Sequence, residues 1–149
     1  MSGRVSTRRV ALGVGMVMAG VLLAGCTSAR PAPPAATSTA PGVGTVSTGP
    51  DGVQAITLQT QDNYVFTPDH FAVQPGPVRL TVTNVGKELT HNFRFTPGKG
   101  PAPITAEIPL LAPGQKETID FTVSTPGTYA FECSFHVQLN QVGTMTVRG

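Results

Sequence analysis

Apolar and polar residues alternate in short runs through the C-terminal two thirds of the chain, and this alternation limits the fold most strongly. Val78, Leu80 and Val82 occupy one parity, while arginine and threonine occupy the other. Successive side chains of a β-strand point to opposite faces, so such a run predicts a half-buried strand. The runs 118–123 and 129–133 repeat the pattern, and no helical period persists. The sequence therefore predicts an all-β domain.

Proline-glycine turns separate these runs, at residues 74–77, 112–115 and 125–128. Proline presets one backbone dihedral and glycine supplies a positive one. Short strands joined in this way predict a single antiparallel β-sandwich over residues 51–149, long enough to fold without disulfides. Residues 97–109 are rich in proline and glycine and predict a long surface loop, interrupted by a short alternating segment at 104–108.

The first 25 residues resemble an export signal and are set apart from the fold. Three arginines give a positive start: Arg4, Arg8 and Arg9. The apolar run 10–24 that follows is too short for an ordinary membrane span. Leu23-Ala24-Gly25-Cys26 resembles the bacterial lipobox, in which the cysteine is diacylated and becomes the first mature residue. This predicts a lipoprotein signal peptide over 1–25 and a lipid anchor at Cys26 on the outer face of the cytoplasmic membrane; an ordinary secretory signal beside an unrelated cysteine is the alternative.

The export route stays open between two alternatives. Residues 7–12 resemble a twin-arginine signal, but Ala11 stands where that pattern prefers a large apolar residue. Twin-arginine export would carry an already folded domain, whereas general secretion would require folding outside the membrane.

Residues 26–50 predict a flexible linker behind the anchor, because they are rich in Ala, Pro, Thr, Ser and Gly and carry one charge, Arg30. The chain has ten Lys and Arg against eight Asp and Glu, and removal of the three signal-peptide arginines leaves seven against eight, a net charge of −1. This weak, unclustered charge gives no footprint for nucleic acid and no polybasic membrane patch. Membrane contact is therefore expected through the lipid anchor alone.

Cys133 is the only cysteine of the predicted domain, in a compartment where thiols normally pair. His136 follows three residues later, and His91 shares a strand face with two phenylalanines, so all three side chains are expected to converge. Zinc favours four strong ligands, whereas two histidines, one cysteine and a weak axial group are typical of blue copper. The sequence predicts one copper ion held by these residues, with Gln141 as the candidate axial ligand; a buried cysteine without metal is the alternative.

Two segments resemble the copper loops of the cupredoxins, and of plastocyanin-type members most. They are Thr90-His91-Asn92-Phe93 and residues 129–143, with the ligand order Cys-x2-His-x4-Gln. The resemblance extends to residues 66–68, 73–76 and 126–129. It implies a Greek-key β-sandwich and a one-electron carrier using Cu(I) and Cu(II). It also implies that Asn92 ties its strand to the copper loop through hydrogen bonds to Ser134.

The chain departs from the commonest cupredoxin pattern at the axial position, where Gln141 replaces methionine. Some plant members use glutamine there. Met145 is the nearby competitor, but its parity with Val147 predicts a core position. An amide oxygen is a harder donor than a thioether and favours Cu(II), so Gln141→Met is expected to raise the reduction potential.

The resemblance further implies that the ring of His136 reaches the surface within an apolar docking patch. Phe135, Val137 and Leu139 would form this patch, with help from the loop 97–109. Transient redox proteins are the expected partners, and a monomer is expected because a single domain needs no second subunit to fold. No catalytic triad, paired carboxylates or phosphate-binding glycine loop indicates an enzyme. Copper buffering, sensing or delivery with the same ligands is the alternative function, and a metal-free interaction module is a third.

Overall fold

The computed structural model describes residues 42–149, which form two β-sheets around one core. The strands are β1 (Ser47–Thr48), β2 (Gln54–Thr60), β3 (Phe66–Thr67), β4 (His70–Val73), β5 (Gly76–Asn84), β6 (His91–Phe95), β7 (Glu107–Leu111), β8 (Lys116–Val123), β9 (Gly127–Glu132) and β10 (Val142–Val147). A single-turn 3-10 helix, Val137–Leu139, lies between β9 and β10, and no α-helix occurs in this range. The predicted all-β sandwich is confirmed.

The strands are ordered β1-β2-β5-β8 in the first sheet, with β3 paired to β2, and β4-β10-β9-β6-β7 in the second. The expectation of a purely antiparallel sandwich is wrong for two pairs, since β2–β5 and β4–β10 are parallel. Between β2 and β5 the chain visits the other sheet through β4. A strand that returns after such a crossover runs parallel to its neighbour, whereas a tight hairpin gives an antiparallel one.

The alternating runs place their apolar residues in the core, as predicted. Val78, Leu80 and Val82 on β5 are each at most 1% exposed. Ile119 and Phe121 on β8 are only half-buried, because β8 is the last strand of its sheet. At the centre, the ring of Phe131 packs against three other phenylalanines, with centroid distances of 5.1 to 5.8 Å: Phe66, Phe71 and Phe93. These contacts join the two sheets.

Strand pairing begins before residue 51. Ser47 pairs with Ala55, and Val43 forms a parallel bridge with Thr57, so pairing extends into the last residues of the predicted linker. The predicted signal peptide, the lipid anchor at Cys26 and the linker up to residue 41 lie outside the described residues. Within residues 42–149 no helix has the length and hydropathy to cross a bilayer.

Candidate metal centre

The segment from Cys133 to Gln141 folds back on itself at the end of β9. The Cys133 amide donates to the Gln141 carbonyl at 3.0 Å, and the His136 amide donates to the Cys133 carbonyl at 3.1 Å. Asn140 ends the 3-10 helix in the left-handed region, with φ of 65°, a conformation that asparagine tolerates. The closed loop brings the side chains of Cys133, His136 and Gln141 to one side.

His91 completes the cluster from β6, the strand that lies beside β9 in the second sheet. The Sγ atom of Cys133 lies 3.9 Å from Nδ1 of His91 and 3.5 Å from Nδ1 of His136. The Oε1 atom of Gln141 lies 2.9 Å and 3.2 Å from the same two ring nitrogens. The structure thus brings together the four side chains that the sequence singled out.

Burial keeps this cluster away from water except at one edge. His91, Cys133 and Gln141 are each 0% exposed, whereas His136 is half-buried. Burial lowers the pKa of His91 below its ordinary value of 6.5, and the hydrogen bond with Gln141 partly opposes this effect. The ring of His91 is therefore neutral at neutral pH, which is the form that binds a metal.

The donor set fits a copper ion. The three potential ligand atoms of His91, Cys133 and His136 lie within 4.8 Å of one another. A soft thiolate with two imidazoles and one weak donor matches the preference of copper, whereas structural zinc is held by four strong ligands.

Asn92 fastens β6 to the loop. Its side-chain amide donates to the Ser134 hydroxyl at 2.7 Å, and its side-chain oxygen accepts from the Ser134 amide at 2.7 Å. The Asn92 backbone amide also donates to Sγ of Cys133 at 3.4 Å. These contacts hold the thiol in place relative to His91, as second-sphere hydrogen bonds do in metal sites.

The sequence interpretation missed the support that comes from the end of β2 and the residues after it. The Nε2 atom of Gln141 donates to Oγ1 of Thr60 at 2.6 Å. The ring of Tyr64 packs against that of His136, with centroids 5.0 Å apart, from a backbone with φ of 59°. The one signal available in the sequence was Thr60 itself, a polar residue that follows Ile56 and Leu58 at the inward parity of β2.

Asp62 connects the same region to the chain just before His91. Its carboxylate accepts hydrogen bonds from three consecutive backbone amides, Lys87, Glu88 and Leu89, at 2.8 to 3.2 Å. These bonds, from Lys87 and Leu89 most of all, hold the pKa of Asp62 below its ordinary value of 3.8. The carboxylate therefore restrains the segment that leads into β6 and His91.

Asp62→Asn is expected to destabilise the protein at pH 7 and to make less difference in acid. Because the folded pKa lies below the unfolded one, ionised Asp62 stabilises the fold above about pH 4, and this contribution is lost as the pH falls through the folded pKa. Denaturant unfolding of the metal-free full-length proteins between pH 7 and pH 3 measures the gap, which is the difference in free energy of unfolding between the unsubstituted protein and Asp62→Asn. Glu117→Gln, which removes one exposed charge from β8, is the matched control. A gap that stays constant across this range would contradict the expectation.

Three apolar residues with exposed or half-buried side chains flank the half-buried His136 in the sequence of the loop. Phe135 is 52% exposed and Leu139 is 49% exposed, and Val137 is half-buried beside them. We call Phe135, Val137 and Leu139 the apolar rim. The three residues singled out for docking thus lie on the same loop as three of the four clustered side chains.

The expectation that the loop 97–109 contributes to the docking patch is wrong. Residues 97–106 contact the first half of β9, where a Cβ on Gly100 would meet Tyr129 and one on Gly127 would meet Pro101. Together with residues of β6 and β9 they line an open cavity of about 470 Å³. Tyr129 is four strand positions from Cys133, about 13 Å. The reason is topological: β6 starts at His91 and runs antiparallel to β9, so the loop leaves from the far end.

The two other sulfur and imidazole candidates lie away from the cluster. Met145 is 0% exposed and pairs with Tyr129 in the core. His70 is exposed on β4, and its Nδ1 lies 2.6 Å from Asp69.

Known proteins are similar to this chain in sequence. The sequence profile of the cupredoxin-like domain matches residues 16–147. Plastocyanin of Nostoc punctiforme is 35% identical over 92 residues, which cover 56% of this chain and 65% of that protein, just under two thirds. Plastocyanin of Dryopteris crassirhizoma is 33% identical over 94 residues, 58% of this chain and 90% of that protein.

A solved structure gives the same result. Dithionite-reduced auracyanin from the photosynthetic bacterium Roseiflexus castenholzii superposes with a TM-score of 0.56 at 26% identity, covering 64% of this chain and 97% of that one. The range matched by the cupredoxin-like profile, residues 16–147, includes the strands and the loop that carry the four converging side chains. The chain therefore belongs to the cupredoxin-like domain family.

Proposed function

We propose that the protein is a blue-copper electron carrier in which His91, Cys133 and His136 hold one copper ion and Gln141 lies at its axial position. The observation that carries this proposal is the convergence of two imidazole nitrogens, one thiol and one amide oxygen on a single buried point. Family membership supports the copper cofactor predicted from the sequence. The similar proteins are plastocyanins and an auracyanin, which favours a carrier over an enzyme.

When bound at this point, a copper ion supplies one-electron chemistry by alternating between Cu(I) and Cu(II). The contribution of the protein is rigidity, because the ligand side chains are fixed by strands, by the closed loop and by the Asn92–Ser134 hydrogen bonds. Ligands that are held in place change little between the two oxidation states, which keeps the barrier to electron transfer low.

Electrons would enter and leave at the edge of His136. This ligand is half-buried while His91 and Cys133 are fully buried, and the residues of the apolar rim lie beside it on the same loop. A small apolar surface suits brief encounters, since weak redox complexes bury less than about 1,200 Å². The proposed partners are therefore redox proteins that dock transiently on the rim, with the chain acting as a monomer.

We place the carrier at the outer face of the cytoplasmic membrane. The support is the sequence pattern alone: the signal-like residues 1–25, the lipobox cysteine Cys26 and the linker that follows it. The linker would let the domain move within reach of membrane-bound partners.

The experiment that tests this function compares electron exchange with metal exchange. Stopped-flow mixing of the copper-loaded protein with an inorganic redox couple such as hexacyanoferrate measures the first rate, and mixing with a chelating copper acceptor measures the second. Electron exchange is expected to be faster by orders of magnitude, with repeated cycles and no loss of copper. Copper transfer as fast as electron exchange would instead assign the protein to copper buffering or delivery.

A further inference from the structure

The Gln141 side chain bridges the first sheet and the ligand cluster. Its amide nitrogen donates to the Thr60 hydroxyl at 2.6 Å, across 81 residues of sequence. Its amide oxygen lies 2.9 Å from Nδ1 of His91 and 3.2 Å from Nδ1 of His136. Both Gln141 and Thr60 are 0% exposed, so water does not compete for these contacts.

The two ends of a glutamine amide have nearly the same shape but opposite chemistry. The oxygen carries lone pairs that a cation accepts, whereas the nitrogen carries two hydrogens and offers no lone pair. An amide turned by 180° would present N–H groups to the imidazoles and to a metal ion. The orientation of the amide therefore decides whether Gln141 is a ligand at all.

Thr60 is well placed to hold that orientation. It ends β2 in register with Asn84 of β5, and its carbonyl accepts a hydrogen bond from the Val85 amide at 2.8 Å. Its side chain shares the inward face of β2 with two apolar residues, Ile56 and Leu58. The hydroxyl is thus a fixed polar group in an apolar wall, and a buried amide nitrogen without an acceptor would cost about 1–3 kcal/mol.

We propose that Thr60 is a positioning residue for the axial ligand: its hydroxyl accepts a hydrogen bond from the Gln141 amide nitrogen and so holds the amide with its oxygen toward the two imidazoles. The proposal rests on the proposed copper site, with Gln141 at the axial position. It assigns a role in tuning the metal to a residue of the opposite sheet, outside both ligand segments.

The test is a double-mutant cycle on the copper-loaded full-length protein. Thr60→Val removes the hydroxyl while keeping the shape, and Thr60→Ser keeps the hydroxyl. Each is made with Gln141 and with Gln141→Met, in which no amide remains to be positioned. The reduction potential and the electron paramagnetic resonance spectrum of Cu(II) are recorded for every protein. Thr60→Ala repeats the comparison if the valine variant does not fold.

With Gln141 present, Thr60→Val is expected to weaken Cu(II) binding relative to Cu(I) by about tenfold, as loss of outer-sphere support commonly does, which raises a one-electron potential by about 59 mV. Thr60→Ser is expected to stay close to the unsubstituted protein. With Gln141→Met, which itself raises the potential, Thr60→Val is expected to add no further shift.

Three results would overturn the proposal, and each has a different meaning. An equal shift in both backgrounds would show that Thr60 acts through packing alone. A potential unmoved by Thr60→Val but raised by Gln141→Met would show that the amide is held by other contacts. A potential and spectrum unmoved by Gln141→Met would remove Gln141 from the axial position. Failure of the copper site as a whole would be recognised separately, by a missing thiolate-to-copper absorption band in the unsubstituted protein.

Discussion

Replacement of Cys133 by serine is expected to abolish the intense visible absorption of the Cu(II) protein. That band arises from charge transfer between the thiolate and copper, and a serine oxygen is neither soft nor readily ionised. Cys133 is fully buried, and its Sγ atom faces both imidazole Nδ1 atoms. Residues 42–149 contain no other cysteine, so no second thiol from this range can take its place. Visible and paramagnetic-resonance spectra of the full-length protein with one equivalent of Cu(II) measure the loss.

His70→Gln is the matched control for this substitution. His70 is exposed and lies beside Asp69, away from the cluster, so the variant is expected to keep the band at full intensity. Circular dichroism of Cys133→Ser checks that the fold is kept. A band that survives in Cys133→Ser, or is missing from the unsubstituted protein, would sink the assignment of a blue-copper centre.

Gly143→Ala is expected to lower the free energy of unfolding by about 3 kcal/mol, at the upper end of the usual cost of overpacking. A Cβ at this position would overlap the ring of Phe131 and the backbone oxygen of Asp69. The ring cannot move aside freely, since it packs against three other phenylalanines. The Asp69 carbonyl is also fixed, because it accepts from the Thr144 amide at 2.9 Å. Denaturant unfolding followed by circular dichroism measures the change.

Gly98→Ala separates this steric effect from the general cost of adding a methyl group. Gly98 has φ of +70°, and a Cβ at this position would meet nothing within 4 Å, so its substitution carries backbone strain alone. That strain is about 1 kcal/mol. Equal losses in the two variants would mean that the core around Phe131 yields to the extra methyl.

Local patterns were sufficient to predict several strands, among them β5, β8 and β9, and the residues that gather at the candidate metal centre. The parity of Tyr129, Phe131 and Cys133 predicted an inward thiol, and all three are at most 2% exposed. His136 and Gln141 follow on the same short loop, so their convergence needs little more than a tight turn. The placement of His91 in the cluster depends on the pairing of β6 with β9, which the parity of its strand only suggested.

Contacts between distant segments were beyond such patterns. Thr60 contacts Gln141 and Tyr64 contacts His136 across 81 and 72 positions, and neither residue stands in a recognisable motif. Parallel pairing of β2 with β5 was missed because local alternation does not report strand direction. The wrong expectation for the loop 97–109 was avoidable. Because β6 begins at His91 and runs antiparallel to β9, the chain must leave β6 at the end opposite His91.

The separation of the His136 edge from residues 97–106 also makes the protein suitable for oriented immobilisation. The apolar rim and residues 97–106 lie toward opposite ends of β9, and Gly98 is exposed. A chemical linkage to a conducting surface through the thiol introduced by Gly98→Cys would leave the rim facing solution. The protein so attached would present one fixed face to soluble redox reagents, and current could be recorded from molecules that share a single orientation.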